Sequence, residues 1–239
     1  MFDQKEALEY LLGLRATEIT EHNGRRYANR QLVRLPEDEP KIFATKTLAS
    51  LVDLIQKEIN HGALNDLVVH VESPTKVNVL TTLRDHLERF NLYSAVAELP
   101  DVVFDRYVDL EAMNIMLKST FIQTEMRDKL IKVLGNVQED AIKTSVDDGI
   151  SQQVTVKEGV QTLSKMQMPT IIKLSPYRTF LEVEQPESEF LLRLRKGPEA
   201  ALFEADGGAW KLAARKNIKA YFENELKDLV EPGRVVVTE

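Results

Sequence analysis

A chain of 239 residues with 43% hydrophobic and 29% charged residues can bury a substantial core without covalent staples, and it is too apolar to be disordered throughout. It has no cysteine, which excludes disulfides, thiolate metal sites and a cysteine nucleophile and fits a reducing cytoplasm. A net charge of −7 weighs against bare nucleic acid as the main partner, because that binding neutralises phosphates with Lys and Arg; only a local basic patch would serve.

Residues 1–15 read as a short amphipathic helix, with Ala7, Leu8, Leu11, Leu12 and Leu14 apolar. They lack the basic and apolar regions of a signal peptide, and no later run approaches the ~20 apolar residues of a membrane span. Asn23-Gly24, within EITEHNGRRYANRQLVRL, is the favoured dipeptide of a two-residue hairpin turn. PEDEP at 36–40 is an acidic loop, too short to be an interdomain linker.

Residues 46–60 give the clearest helix, because Leu48, Leu51, Val52, Ile55 and Ile59 recur at helical spacing and Gly62 follows as a stop. DLVVHVESPTKVNVLTTL reads as two strands around Ser73-Pro74, with a third from Tyr93 to Glu98. Asp109 caps a helix to Lys118, and Thr124 caps another to Leu134 that Gly135 ends. Next come a hairpin turning at DDG (147–149) with a long second arm through ISQQVTVKEGVQTL, then the strand-like TIIKLSPYRTFLEVE. FLLRLR and AALFEA flank Lys196-Gly197-Pro198 as a hairpin. From Ala209 to about Leu229 the helical period returns, with Trp210, Ala214, Ile218, Tyr221, Phe222 and Leu229 on one face, and GRVVVTE closes as a strand.

Strands thus come in hairpin-like groups without strict alternation with helices. The expected class is α+β, with largely antiparallel sheets built from hairpins and packed with four to five helices. The composition shift near 136–140 suggests an N-terminal α+β region over 1–138 and a C-terminal β-rich region over 139–239 with a closing amphipathic helix. A single intertwined domain is the alternative.

There is no Walker A loop, no GxGxxG after a strand, no GxSxG elbow and no HExxH. His22, His61, His70 and His86 are scattered, with no pair at metal-ligand spacing. Glu204 and Asp206, beside Gly207-Gly208, have the oxygen chemistry of a Mg²⁺ site, with Glu184 as a third carboxylate. The competing reading is the start of the last helix, where an acid complements the dipole and glycine permits the turn. Glu182, Glu184, Glu187 and Glu189 precede Arg193, Arg195 and Lys196, so strands at 180–185 and 190–195 would pair opposite charges. Alternatively Arg178, Arg193 and Arg195 converge on an anion, which forked guanidinium donors suit. Arg25, Arg26 and Arg30 beside Tyr27 match the arginine-plus-aromatic pattern of nucleotide stacking, or a solvated strand face. Lys211, Arg215, Lys216 and Lys219 fall on the polar side of the last helix. Strands such as VVHV, VTV and FLLRLR expose edges that self-association would cover.

PYRTFLEVEQPESEFLLRLRKGPEAALFEADGGAWKLAARKNIKAYF resembles the C-terminal signature of the YfdQ-like family of phage and prophage proteins. FATKTLASLVDLIQKEI, LVVHVESPTKVNVL and KVLGNVQEDAIKTSVDDGISQQVTVKEGV are similar to the family's upstream parts, so the resemblance covers about residues 27–237. It implies expression in the cytoplasm of a bacterial host and a non-structural accessory role, and it carries no catalytic residue and no cofactor. The expectation is a non-catalytic homo-oligomer that sequesters a nucleotide signal or inhibits a host defence or regulatory protein. The alternatives are a single-stranded-DNA-binding accessory of replication or recombination, and a metal-dependent hydrolase or nuclease.

Overall fold

The computed structural model describes residues 8–10, 13, 17–22, 25–28, 40–62, 66–83, 88–136, 151–158, 162–195, 197 and 199–239. The chain divides into two units, Met1–Glu39 and Pro40–Glu239. In the first, residues 8–10 are helical, and strands β1 (Ile19–His22) and β2 (Arg25–Ala28) pair antiparallel. Their register sets His22 opposite Arg25, so the connection is the two-residue one that Asn23-Gly24 favours.

The second unit begins with β3 (Phe43–Thr45) and α1 (Leu48–Asn60). The Thr47 hydroxyl caps α1 from the Ser50 N–H, and the helix buries Leu48, Leu51, Val52, Ile55 and Ile59, the stripe read from their spacing. β4 (Leu67–Ser73), β5 (Lys76–Thr81) and β6 (Asn91–Val96) form an antiparallel meander that turns at 74–75. β7 (Val108–Asp109) leads into α2 (Leu110–Thr120), capped by Asp109, and Thr124 caps α3 (Glu125–Leu134). β8 (Ser151–Glu158) pairs with β9 (Thr162–Pro169), which runs into β10 (Ile171–Leu174). β11 (Ser188–Arg195) and β12 (Glu199–Glu204) form the hairpin around Gly197. α4 (Trp210–Glu225), the short α5 (Lys227–Val230) and β13 (Val235–Thr238) complete the unit.

The class is α+β. One sheet has five strands in the order β13-β4-β5-β6-β3; its edges β13 and β3 join in parallel, β13 beside β4 and β3 beside β6. The other is antiparallel, β10-β11-β12-β7. Strands from both sides of residue 138 enter both sheets, because β7 pairs with β12 and β13 with β4. Each sheet has its own core. α2 and α3 bury Met113, Leu117, Leu130 and Leu134 with Phe190, Leu192 and Leu202 of the four-stranded sheet. α1 and α4 bury Leu51, Ile55, Ile218 and Phe222 with Leu67, Val69, Val77 and Val79 of the five-stranded sheet. Among the described residues no helix is long and apolar enough to cross a membrane.

Two expectations along the chain are corrected. Residues 140–149, the expected first arm and DDG turn, lie outside the described residues, and the expected long second arm folds back on itself, with 151–158 paired to 162–169. Residues 180–185 form no strand. Gln185 is 5% exposed; its side-chain oxygen accepts from the Arg178 and Thr179 N–H groups, and its amide nitrogen donates to the Phe180 carbonyl at 2.9 Å. That side chain supplies partners a sheet would otherwise give to a buried backbone, so the segment folds as a strap. Phe180 enters the five-stranded-sheet core while Ser188 opens β11 of the other sheet. Glu182 accepts from the Leu48 N–H at 2.8 Å, and Asn217 donates to the Glu184 carbonyl at 2.9 Å, fixing the strap to the start of α1 and to α4.

Candidate functional site

β11 sorts the nominated charges onto two faces. Its alternation buries Ser188, Phe190, Leu192 and Leu194 and leaves Glu189, Leu191, Arg193 and Arg195 on the other side. Arg178 meets the inner face and Arg193 and Arg195 the outer one, so the three arginines do not converge on one anion.

On the inner side the Arg178 side chain is 8% exposed. Its Nη1 donates to Glu204 at 2.6 Å, its Nη2 donates to the Ser188 hydroxyl, and its guanidinium carbon lies 4.0 Å from the Trp210 ring centroid and 5.7 Å from that of Phe190. Burial pushes the guanidinium pKa down to about 10, opposed by the charges of Glu204 and Asp206 and the Glu204 hydrogen bond. It therefore stays a cation at neutral pH, held between two carboxylates and an indole face. Asp206 is drawn below the ordinary aspartate range. Burial raises its pKa, but hydrogen bonds from Ser188, Gly208 N–H and Trp210 N–H, with the Arg178 charge, outweigh burial.

The local chain explains this placement. Gly207 and Gly208 take φ of 62° and 81°, a left-handed pair that turns β12 into α4. Asp206 accepts from the Gly208 N–H at 3.0 Å and the Trp210 N–H at 3.4 Å, as an acid at a helix start does. Glu204 and Asp206 thus face Arg178 and backbone donors, and Glu184 offers its carbonyl to Asn217. Among the described residues no group of three His, Cys, Asp or Glu side chains is placed to hold a metal ion.

The outer face has a different composition. The Arg195 guanidinium carbon lies 4.1 Å from the Tyr107 ring centroid, and its Nε donates to Glu199, the residue directly opposite in the ladder. Tyr107 meets Phe203 edge to face, with centroids 6.2 Å apart. Arg193 sits opposite Ala201 on this face, between Leu191 and Arg195. Two arginines and two aromatic rings therefore share one sheet surface, with the Arg195 side chain 54% exposed. Cation over ring and ring against ring suit a flat ligand that carries negative charge. Sequence reasoning found Arg193 and Arg195 but missed Tyr107 and Phe203: Tyr107 is remote in sequence, and Phe203 looked like an ordinary strand residue.

Two of the glutamates before and within β11 pair with the neighbouring strand β10. Glu187 and Glu189 flank Lys173 of β10, at 3.9 and 4.0 Å. Of the N-terminal candidates, Arg25, Arg26 and Tyr27 lie along the backbone of β2, with Tyr27 opposite Thr20, and Arg30 is outside the described residues. His61 follows α1, His70 lies in β4 and His22 in β1, while His86 is outside the described residues. Away from the outer sheet face, an open cleft of about 680 Å³ lies between α2 and the end of α3, where Glu111, Asn114, Ile115 and Lys118 line it. Its charges are mixed in sign and no ring faces them from that set, so it offers less to an anion than the outer sheet face. No protein-family model, curated protein or solved structure matches the chain.

Proposed function

We propose that the protein acts by binding, without catalysis, and that the outer face of the four-stranded sheet takes an anionic ligand with a flat ring, of the nucleotide class. The observation that carries this is the stack of Arg195 on Tyr107 beside Phe203, with Arg193 on the same face. Arginine supplies a charge-assisted fork for a phosphate, and an aromatic ring supplies a surface for a base. Glu204 and Asp206, two of the carboxylates that would serve a hydrolase, are engaged with Arg178 and backbone N–H groups, which favours binding over metal-assisted chemistry. Taken with the expected resemblance to phage and prophage accessory proteins, itself part of this proposal, the reading is of a host-cell protein that sequesters a nucleotide signal.

A thermal-shift screen against mono-, di- and cyclic dinucleotides tests this. A binder raises the melting temperature by mass action, and the rise disappears in Arg195→Ala and Tyr107→Ala. No shift with any nucleotide sinks the reading. Single-stranded DNA is the second reading, because Tyr107 and Phe203 give two rings on one sheet surface for neighbouring bases. It predicts a gel shift at low salt that weakens steeply as salt rises.

A further inference from the structure

One side of α2 packs on the four-stranded sheet through Leu110, Met113 and Leu117. Turned away from that core stand Glu111, Ile115 and Lys118, all exposed, with Ile115 at 60%. Glu111 and Lys118 are seven residues apart, so they lie nearly in line, about 10.5 Å apart along the axis, with Ile115 between them. Neither charged side chain has an ion pair or hydrogen bond among the described residues. On the other long helices such charges pair within the helix, as Lys129 does with Glu125 and Lys219 with Glu223. An acid in the first turn and a base in the last suit the helix dipole, but the dipole does not account for an isoleucine left in water between them. Beside Ile115 opens the cleft between α2 and the end of α3, walled by Asn114 and Leu134.

We infer that this side of α2 is a self-association surface, on which α2 of a second copy lies antiparallel about a two-fold axis between Asn114 and Ile115. The charges select that partner and direction. The axis sets Glu111 opposite the partner's Lys118 and Lys118 opposite the partner's Glu111, so the surface is its own complement and all four charges are matched. At the centre Ile115 meets the partner's Ile115, and each isoleucine leaves water beside the cleft of the other copy. A parallel pairing would set Glu111 against the partner's Glu111 and Lys118 against the partner's Lys118. Sliding one helix by a turn would leave both pairs unmatched. The contact is small, so the dimer is expected to be weak and to depend on concentration. It lies on the far side of α2 from the sheet and is independent of the ligand reading of the outer sheet face.

The full-length chain supplies the experiment. In sedimentation equilibrium the mass is expected to climb from the chain mass of 27.2 kDa towards twice that value as concentration rises. Glu111→Lys and Lys118→Glu each set like charges across the axis and are expected to weaken the dimer ~10-fold, while the two changes combined restore it. A role for either residue within its own chain would show no such rescue. Because the chain has no cysteine, an introduced thiol is the only one. Packed helix axes lie ~8–10 Å apart, which brings the two Cα atoms at position 115 to about 6 Å, within disulfide reach, while those at 119 are about 13.5 Å apart along the axis. Mild oxidation is therefore expected to link Ile115→Cys into a covalent dimer ~10 times faster than Ser119→Cys. A wild type that stays monomeric, single reversals that leave the dimer intact, a double reversal that does not restore it, or equal cross-linking of the two cysteine variants overturns the inference. The cysteine pair decides the matter if a reversal variant does not fold.

Discussion

Arg178 and Arg195 make almost the same contacts on opposite faces of one sheet. Each guanidinium lies about 4 Å over an aromatic ring, Trp210 for one and Tyr107 for the other, and each donates to a glutamate. They differ in solvent: the Arg178 side chain is 8% exposed and that of Arg195 54%. Burial turns the same chemistry from an adjustable surface contact into a fixed part of the core. A charged hydrogen bond out of water cannot be replaced by solvent when one partner leaves, whereas an exposed one can. The inner arginine therefore holds the strap in place, while the outer one can exchange Glu199 for solvent, the freedom that the proposed ligand contact requires.

The largest break in this comparison is expected from Arg178→Met. It leaves Glu204 and Asp206 close together with no cation and removes a donor from Ser188, which costs about 3 kcal/mol, at the low end for a broken buried pair because Glu204 keeps part of its hydration. Urea denaturation reads this directly, and a loss below ~1 kcal/mol would place the two arginines in the same class. Gln185→Leu comes next, at about 2 kcal/mol, because it strands the Arg178 and Thr179 N–H groups in the interior; intact stability would mean that the strap is held by its apolar residues alone.

Asp206→Asn is smaller at neutral pH, about 1 kcal/mol, since backbone donors still find an amide oxygen. Its signature is the acid limb. The Asp206 pKa is lowered from 3.8 in the folded protein, so its contribution is present above that value and is lost as pH falls through the lower folded one. The wild type is expected to lose more stability than the variant over that window, and superimposable acid limbs would contradict the inner network. Last, Arg195→Ala changes stability by no more than ~0.5 kcal/mol, as exposed ion pairs do, while abolishing the nucleotide-induced thermal shift. A large stability loss there would mean that the outer arginine is structural too.

Local signals in the sequence were sufficient where the structure is local. The stripe from Leu48 to Ile59, the caps Asp109 and Thr124, the Asn23-Gly24 connection and the hairpin around Gly197 each depend on residues within a few positions of one another. The strap could not be read in the same way. Arg-Thr-Phe-Leu-Glu-Val-Glu has the alternation of a strand, but Phe180 is drawn into one core while Gln185 takes over the backbone partners of its own segment. The candidate site was half legible: arginines announce an anion, but which face they occupy depends on the phase of β11, and the Arg178–Trp210 and Arg195–Tyr107 contacts join distant parts of the chain. The parallel additions of β3 and β13 have no local signature at all, since neither is joined to its neighbour by a turn.

The parallel pairing of β13 with β4 also bears on how fast the protein folds. Val235 sits opposite Leu67, and Arg234 donates to Asp66 across a separation of 168 residues. The five-stranded sheet and its core therefore close over a very long loop, whose entropy is lost before the contacts that repay it can form. The meander β4–β5–β6 has its turns nearby and is expected to form early, with Leu67 and Val69 still awaiting Val235, Ile218 and Phe222. Until then its β4 edge and half of its apolar face stay open to other chains. Slow, concentration-sensitive refolding, with aggregation competing at high protein, follows from that topology.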